Sequence, residues 1–253
     1  MSTQTSSWIP KKRIHFVVGL AAALVAAALV GCVWSKASLL LLVPAAGAGW
    51  AAFVMLRIRA QLSGGWEHKI HEYVASQLGI SAGARLLDIG CGDAGLLATV
   101  LGKSPGISAT GVDDWSEHWD YAQAACEARL AKLKLSATFQ RMDAAHLELS
   151  NECFDAVTSV MCFHEVRAPE GSATRGPLLA LSEALRVLRP GGQFVLVDRF
   201  ADAADYGDGT ELAVVLKAAE VHRESLVRKL DVPWPLSSKR ALGPVEVLRG
   251  TKR

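Results

Sequence analysis

Residues 85–95 read RLLDIGCGDAG: a short apolar run, an aspartate, then three glycines within six positions. A run of strand formers that stops at Gly90, Gly92 and Gly95 is the end of a parallel strand turning into a helix. Glycine there lets the chain turn tightly, lets a ligand approach the main chain and lets the helix begin close to the sheet. A nucleotide suits such a turn. By itself G-x-G-x-x-G serves an NAD site equally well.

Outward from this turn the pattern repeats. Strand-like runs at 85–89, 108–112, 138–141, 154–160 and 193–197 alternate with helical runs near 94–102, 116–134 and 176–188. The glycine pair of RPGG, 189–192, ends the last of those helices and turns it into the next strand. A helix from 208 to about 219 and two further strands, 225–230 and 245–250, follow, the strands joined by the proline-rich 231–244. Strand and helix in steady alternation predict an α/β, doubly wound sheet with right-handed crossovers. Before it, WEHKIHEYVASQLGI spaces Trp66, Ile70, Tyr73, Val74 and Leu78 as one face of an amphipathic helix over 66–78.

Two carboxylates sharpen the reading of the turn. Asp88 lies two residues before the first glycine, where dinucleotide folds have an apolar residue; an acid there sits under the turn and suits a cationic or amine-bearing ligand. Asp113 closes the second strand in TGVDDW, where a carboxylate can accept from both hydroxyls of a ribose. Asp114 completes the acidic pair, although strand alternation turns it toward the other face. For both Asp113 and Asp88 a capping role is the alternative.

The first sixty residues are of a different kind. Residues 16–34 and 37–56 hold no charge, and each run is close to the ~20 residues a helix needs to cross a bilayer core. Separated by a few polar residues, they predict a transmembrane hairpin over 1–60, with helices about 14–35 and 37–56, then a connecting amphipathic segment at 61–82 and a catalytic domain at 83–253. Lys11, Lys12 and Arg13 on one flank and Arg57 and Arg59 on the other outnumber Lys36 in the turn, which predicts a cytoplasmic domain. Two alternatives stand beside this. LVGC ending at Cys32 has the look of a lipoprotein processing site, which leaves the second run unexplained. Core helices of a soluble protein would need an equally apolar partner surface.

A chain of 253 residues with 51% apolar content has room for one substantial α/β domain and an appendage. Its net charge of +2, with no basic run longer than Lys11-Lys12-Arg13, gives no footprint for nucleic acid. Five cysteines without a C-x-x-C pair argue against a disulfide framework or a zinc site and suit a reducing compartment.

Four motifs in order, LLDIGCGDAG, GVDDW, QRMDAAHL and ALRVLRPGGQFVLVD, give the chain from about Gly83 onward a form that resembles the class I S-adenosylmethionine-dependent methyltransferases. The resemblance implies a Rossmann-like, seven-stranded sheet whose last strand is antiparallel, and S-adenosyl-L-methionine as cofactor. Residue by residue it implies that Asp88, Gly90 and Gly92 line the methionine end, with Cys91 and Gly95 completing the turn. It places Asp113, beside Asp114, at the ribose, and Asp143 with the backbone of Ala144 at the adenine edge. Capping of the turn at 144–147 is the other reading of Asp143. Trp115 departs from the commoner pattern, in which a small residue stands there.

Methyl transfer needs mainly alignment and exclusion of water, with a general base only for a protonated acceptor. The end of the fourth strand, VMCFHEV, adjoins the switch point where ligands bind, so His164 as proton acceptor and Glu165 as its orienting partner are the catalytic candidates. Fixing of the loop by His164 is the alternative, and Cys162 reads as packing. Asp198, Tyr206 and Asp208, in DRFADAADYGDGTEL, either face a polar or cationic acceptor or belong to a solvated acidic loop. The expected activity is methylation of a small or lipid-soluble acceptor; an NAD oxidoreductase and a non-catalytic, membrane-tethered module are the other classes.

Overall fold

A computed structural model describes residues 11–116, 122–228, 230, 237–238, 242–243 and 245–253. Contacts divide the chain into two compact units at Trp66.

The N-terminal unit is a helical hairpin: α1 (Lys11–Gly31), a 3-10 turn (Lys36–Leu41) and α2 (Leu42–Gln61). The turn is built by three small residues. A Cβ on Gly31 would lie 2.8 Å from Ser38 Cβ, so only glycine lets the chain pass. Ser35 accepts from Ala37 N–H through its hydroxyl, and Ser38 donates to the carbonyls of Ser35 and Ala28. The helices differ from the expected 14–35 and 37–56. The first stops at Gly31, and the second runs on through Arg57 and Arg59, both good helix formers, to Gln61. The stretches Lys12–Gly31 and Lys36–Gln61 are long and apolar enough to cross a membrane, and 11% of each is buried. A soluble-core helix would be mostly buried. Among the described residues, every exposed large apolar side chain except Leu133 and Val214 lies in this hairpin.

The second unit opens with α3 (Glu67–Gln77), whose Ile70, His71 and Val74 are buried at helical spacing. Seven strands follow: β1 (Arg85–Ile89), β2 (Ser108–Asp113), β3 (Thr138–Arg141), β4 (Phe154–Val160), β5 (Leu188–Asp198), β6 (Val221–Arg228) and β7 (Glu246–Lys252). They lie in the order β3-β2-β1-β4-β5-β7-β6. The first five are parallel to their neighbours, and β7 is antiparallel to both β5 and β6. The order reverses between β1 and β4, the switch point where ligands bind in open α/β sheets.

Between the strands lie α4 (Gly95–Lys103), α5 (Gln123–Lys132), α6 (Gly176–Val187), α7 (Ala203–Tyr206) and α8 (Thr210–Ala218). Strand alternation sends Leu87, Ile89, Val157, Phe194 and Leu196 into one core with Leu178, Leu181 and Leu185 of α6. Leu86 and Asp88 therefore face the opposite side.

Several bounds differ from expectation, two of the strand starts by more than two residues. β5 begins at Leu188, because the turn RPGG is taken up as a bulge: Phe154 pairs with Leu188, yet Ala156 pairs with Gln193. β6 starts at Val221, four residues early, and α7 is a short element that the reading lacks. Part of the expected helix at 116–134 and most of the connector at 231–244 lie outside the described residues.

Candidate active site

The glycine turn is tied to the end of β2 before any side chain takes part. Gly90 and Cys91 both donate their N–H to the carbonyl of Val112, at 2.8 and 3.1 Å. Gly90 has φ +73°, and a Cβ there would collide with the Cys162 side chain at the end of β4. Gly92 turns at φ +55°. Gly95 opens α4 where His71 of α3 leaves no space, since a Cβ would stand 2.8 Å from its Cε1. Burial, with Arg129 and His68 nearby, lowers His71 to about 3, so this wall of the turn is neutral. Cys91 contributes only backbone. Its thiol packs toward Gly111 and is pushed up by contact with Cys126 and by burial. Asp93, buried within the turn, pairs with Arg129 of α5. That brace was not foreseen, although a carboxylate inside a glycine turn was its visible signal.

Asp113 is held by the two loops it joins. One carboxylate oxygen accepts from Gly92 N–H at 2.8 Å and the other from Trp115 N–H at 2.9 Å. The Trp115 indole N–H donates to Gly92 O at 2.9 Å, where the Cys126 thiol also points. An ionised carboxylate has about four acceptor positions, so both oxygens keep a lone pair for a diol. Burial raises Asp113, against the two backbone N–H bonds that favour its charge. Asp114 is exposed and accepts from Ser116 N–H, but its carboxylate stays close enough to Asp113 to help raise it, so the alternation that was to turn it to the other face does not separate the pair.

Asp88 is 2% exposed, and it accepts from the Thr158 hydroxyl on β4 at 2.9 Å. Burial raises it to about 7. A cation beside it would reverse that, so the position fits an ammonium- or sulfonium-bearing ligand.

The loop after β3 joins the same sheet end, because Met142 donates to Asp113 O at 3.0 Å. Asp143 is exposed there, and one carboxylate oxygen accepts from Ala145 N–H at 2.8 Å. The capping alternative is therefore realised at that oxygen. Ala144 packs on the core. Glu183 and Arg186 of α6 fasten this loop. Glu183 accepts from Leu147 N–H, and Arg186 donates to the carbonyls of Leu147 and Leu149 and to Asn151. Their signal was in plain view within ALSEALRVLRPGG.

At the end of β4 a 3-10 turn, Phe163–Glu165, places His164 over Asp198 at the end of β5. His164 Nδ1 lies 2.7 Å from Asp198 Oδ1, and its backbone N–H donates to Oδ2 at 3.1 Å. Nε2 lies 3.4 Å from the Glu165 carboxylate, which is largely exposed. Burial disfavours the charge on His164, but Asp198 and then Glu165 override it and raise the group to about 9. Asp198 fits neither of its two sequence readings, an acceptor contact or a solvated acidic loop. It is buried beneath the imidazole and also accepts from Arg199 N–H. Tyr206 is fully buried against Phe200 and takes no part in an open loop, and Asp208 caps Thr210. Cys162 packs against Gly90, its thiol raised chiefly by burial.

A parallel sheet with its switch point at a bare turn, an acid ending each of β1 and β2, and an oriented histidine beside them define a nucleotide-binding α/β domain. Residues 87–196 match the family described as "Methyltransferase domain", and this match, the curated relatives and the fold together support a class I S-adenosylmethionine-dependent methyltransferase with S-adenosylmethionine as the cofactor. The NAD alternative gives way to that match. The chain is 33% identical to an O-methyltransferase of Pyrenophora dematioidea over 132 residues, 51% of this chain and 44% of that protein. It is 32% identical to a sterol 24-C-methyltransferase of Schizosaccharomyces pombe over 127 residues, 49% and 30% of the two chains. It thus spans less than half the length of these curated relatives. The geranyl diphosphate C-methyltransferase of Streptomyces coelicolor A3(2) shares the fold with a TM-score of 0.55 at 13% identity, covering 78% of this chain and 82% of that one.

Proposed function

We propose that this chain methylates a hydroxyl of a small, lipid-soluble acceptor at the cytoplasmic face of a membrane, with His164 taking the hydroxyl proton. The observation that carries this is the His164–Asp198 pair, whose 2.7 Å bond fixes Nδ1 and directs Nε2 away from the buried carboxylate. When bound, S-adenosylmethionine supplies an electrophilic methyl group on a sulfonium.

The chain's own residues supply the rest. Asp88 offsets the cationic methionine end beneath the bare backbone of Gly90 and Gly92, Asp113 accepts from the ribose, and Asp143 with Ala144 borders the adenine. In its neutral form, populated as pH rises through about 9, His164 Nε2 would take the proton that the acceptor hydroxyl gives up as its oxygen receives the methyl group. Glu165 stands on the open side of the imidazole and orients it. An O-methyltransferase and a sterol methyltransferase among the relatives support a small apolar acceptor, and the exposed apolar hairpin supports a lipid source. Lys12, Arg13, Arg57 and Arg59 against Lys36 support cytoplasmic placement.

The test incubates detergent-solubilised full chain with methyl-labelled S-adenosylmethionine and mixed vesicles carrying long-chain phenols, quinols and sterols. Label is expected in an ether of a hydroxyl, with His164→Gln lowering turnover by about 10²-fold or more while cofactor binding persists. Label appearing only on carbon or nitrogen defeats the reading. For topology, a C-terminal alkaline phosphatase fusion is expected to be inactive; strong activity places the domain outside.

A further inference from the structure

Trp115 belongs to no part of the scheme above, yet its ring bonds the glycine turn and its backbone bonds Asp113. It has φ +39°, a left-handed conformation that a bulky residue holds only under constraint from its surroundings. The constraint is a closed ring of three hydrogen bonds. Gly92 N–H binds one oxygen of Asp113, Trp115 N–H binds the other, and the Trp115 indole N–H returns to Gly92 O. Each bond lies between 2.8 and 2.9 Å. Cys126 Sγ, 3.1 Å from the same Gly92 oxygen, closes the underside.

A carboxylate at the end of a strand otherwise rotates about χ1 and χ2, and presenting both oxygens to a diol would cost that freedom on each binding event. In this ring neither Asp113 oxygen can swing without breaking a backbone bond. The glycine turn and the loop after β2 also cannot separate without breaking the indole bond.

We infer that Trp115 is a positioning residue for the cofactor's ribose: its indole N–H locks the glycine turn onto the Asp113 loop, so that the carboxylate meets the two ribose hydroxyls already oriented. The inference rests on S-adenosylmethionine binding at this turn. It separates two properties of the side chain that a simple wall would not, since Trp115→Phe keeps most of the bulk and removes only the donor.

The experiment measures calorimetric affinity of the detergent-solubilised full chain, wild type and Trp115→Phe, for S-adenosylhomocysteine and for its 2′,3′-dideoxy analogue. The expected result is a loss of about fivefold for S-adenosylhomocysteine in the variant, the effect of one hydrogen bond, and a change of less than twofold for the dideoxy analogue. Equal losses for both ligands mean that Trp115 only fills space, and no loss for either means that the lock does not exist; either result overturns the inference. Wild-type protein that binds neither ligand overturns the cofactor reading itself, which sets that failure apart. Should Trp115→Phe fail to fold, Trp115→Tyr and Trp115→Leu, which also lack the indole N–H, are compared in the same way.

Discussion

Replacing Asp198 with asparagine removes the charge beneath His164 while keeping an acceptor at the same place. In the wild-type protein burial opposes the imidazolium, but the Asp198 carboxylate 2.7 Å from Nδ1, with Glu165 on the far side, raises the group from 6.5 to about 9. Each pH unit across that interval is worth about 1.4 kcal/mol, so one proton links about 3 kcal/mol of folding free energy to pH. His164 is mostly buried, so the figure is not strongly discounted by solvent. A raised histidine binds its proton more tightly when folded. Its contribution is complete below pH 6.5 and is lost as pH climbs through about 9. In Asp198→Asn burial and Arg199 lower His164 and only the largely exposed Glu165 raises it, so His164 is expected to titrate well below its wild-type value. Urea unfolding of the solubilised full chain at a series of pH values should show the wild type losing about 3 kcal/mol more than the variant between pH 6 and pH 10. The histidine Cε1 proton resonance, assigned by its disappearance in His164→Gln, reads the same group directly. Parallel stability curves, or a His164 resonance with a midpoint near 6.5 in both proteins, would refute the reasoning.

Other consequences follow from the same geometry. Asp113→Ala should weaken S-adenosylhomocysteine binding by about 1–3 kcal/mol in calorimetry, because the diol loses its charged acceptor. Asp88→Asn should stabilise the free protein above pH 7, since an acid raised by burial to about 7 makes the fold less stable as pH rises through 3.8 to 7, and it should weaken cofactor binding at the same time. Gly90→Ala should cost about 2–4 kcal/mol in urea unfolding, from its positive φ and from the collision with Cys162. Residues 67–253 expressed alone should remain in solution without detergent and still bind S-adenosylhomocysteine, as a pull-down on immobilised ligand would show.

The sheet was legible where local signals bound each strand. The runs at 85–89, 138–141 and 154–160 have the observed bounds, and the first is an apolar stretch that stops at Gly90. β5 was cut short because Pro190-Gly191-Gly192 has the composition of a turn; only pairing with β4 shows that a bulge carries the strand across it. α2 was ended early because arginine was treated as a boundary, whereas the helix itself accepts it. In the candidate site, the placement of Asp88 and Asp113 at the glycine turn was legible because it follows from their position relative to the glycines. Asp198 was not. Its partner lies 34 residues away on a neighbouring strand end, and a carboxylate within an acidic segment has no local mark that distinguishes a buried support from a solvated surface. The Trp115 ring likewise depends on a 23-residue separation that strand order alone closes.

The place of β7 between β5 and β6 governs how this sheet can be assembled during synthesis. β6 precedes in the chain the strand it pairs with, so until residues 246–252 are in place β6 has no neighbour in the sheet among the described residues. For that interval β5 is an open edge whose exposed main chain borders Phe194, Val195, Leu196 and Val197, a stretch fit for pairing with a wrong partner. Closure then occurs in one event, with β7 filling both gaps at once. A chain interrupted before Glu246 would lose two strands rather than one, and a nascent-chain quality-control system would meet a single sticky edge at a predictable stage of translation.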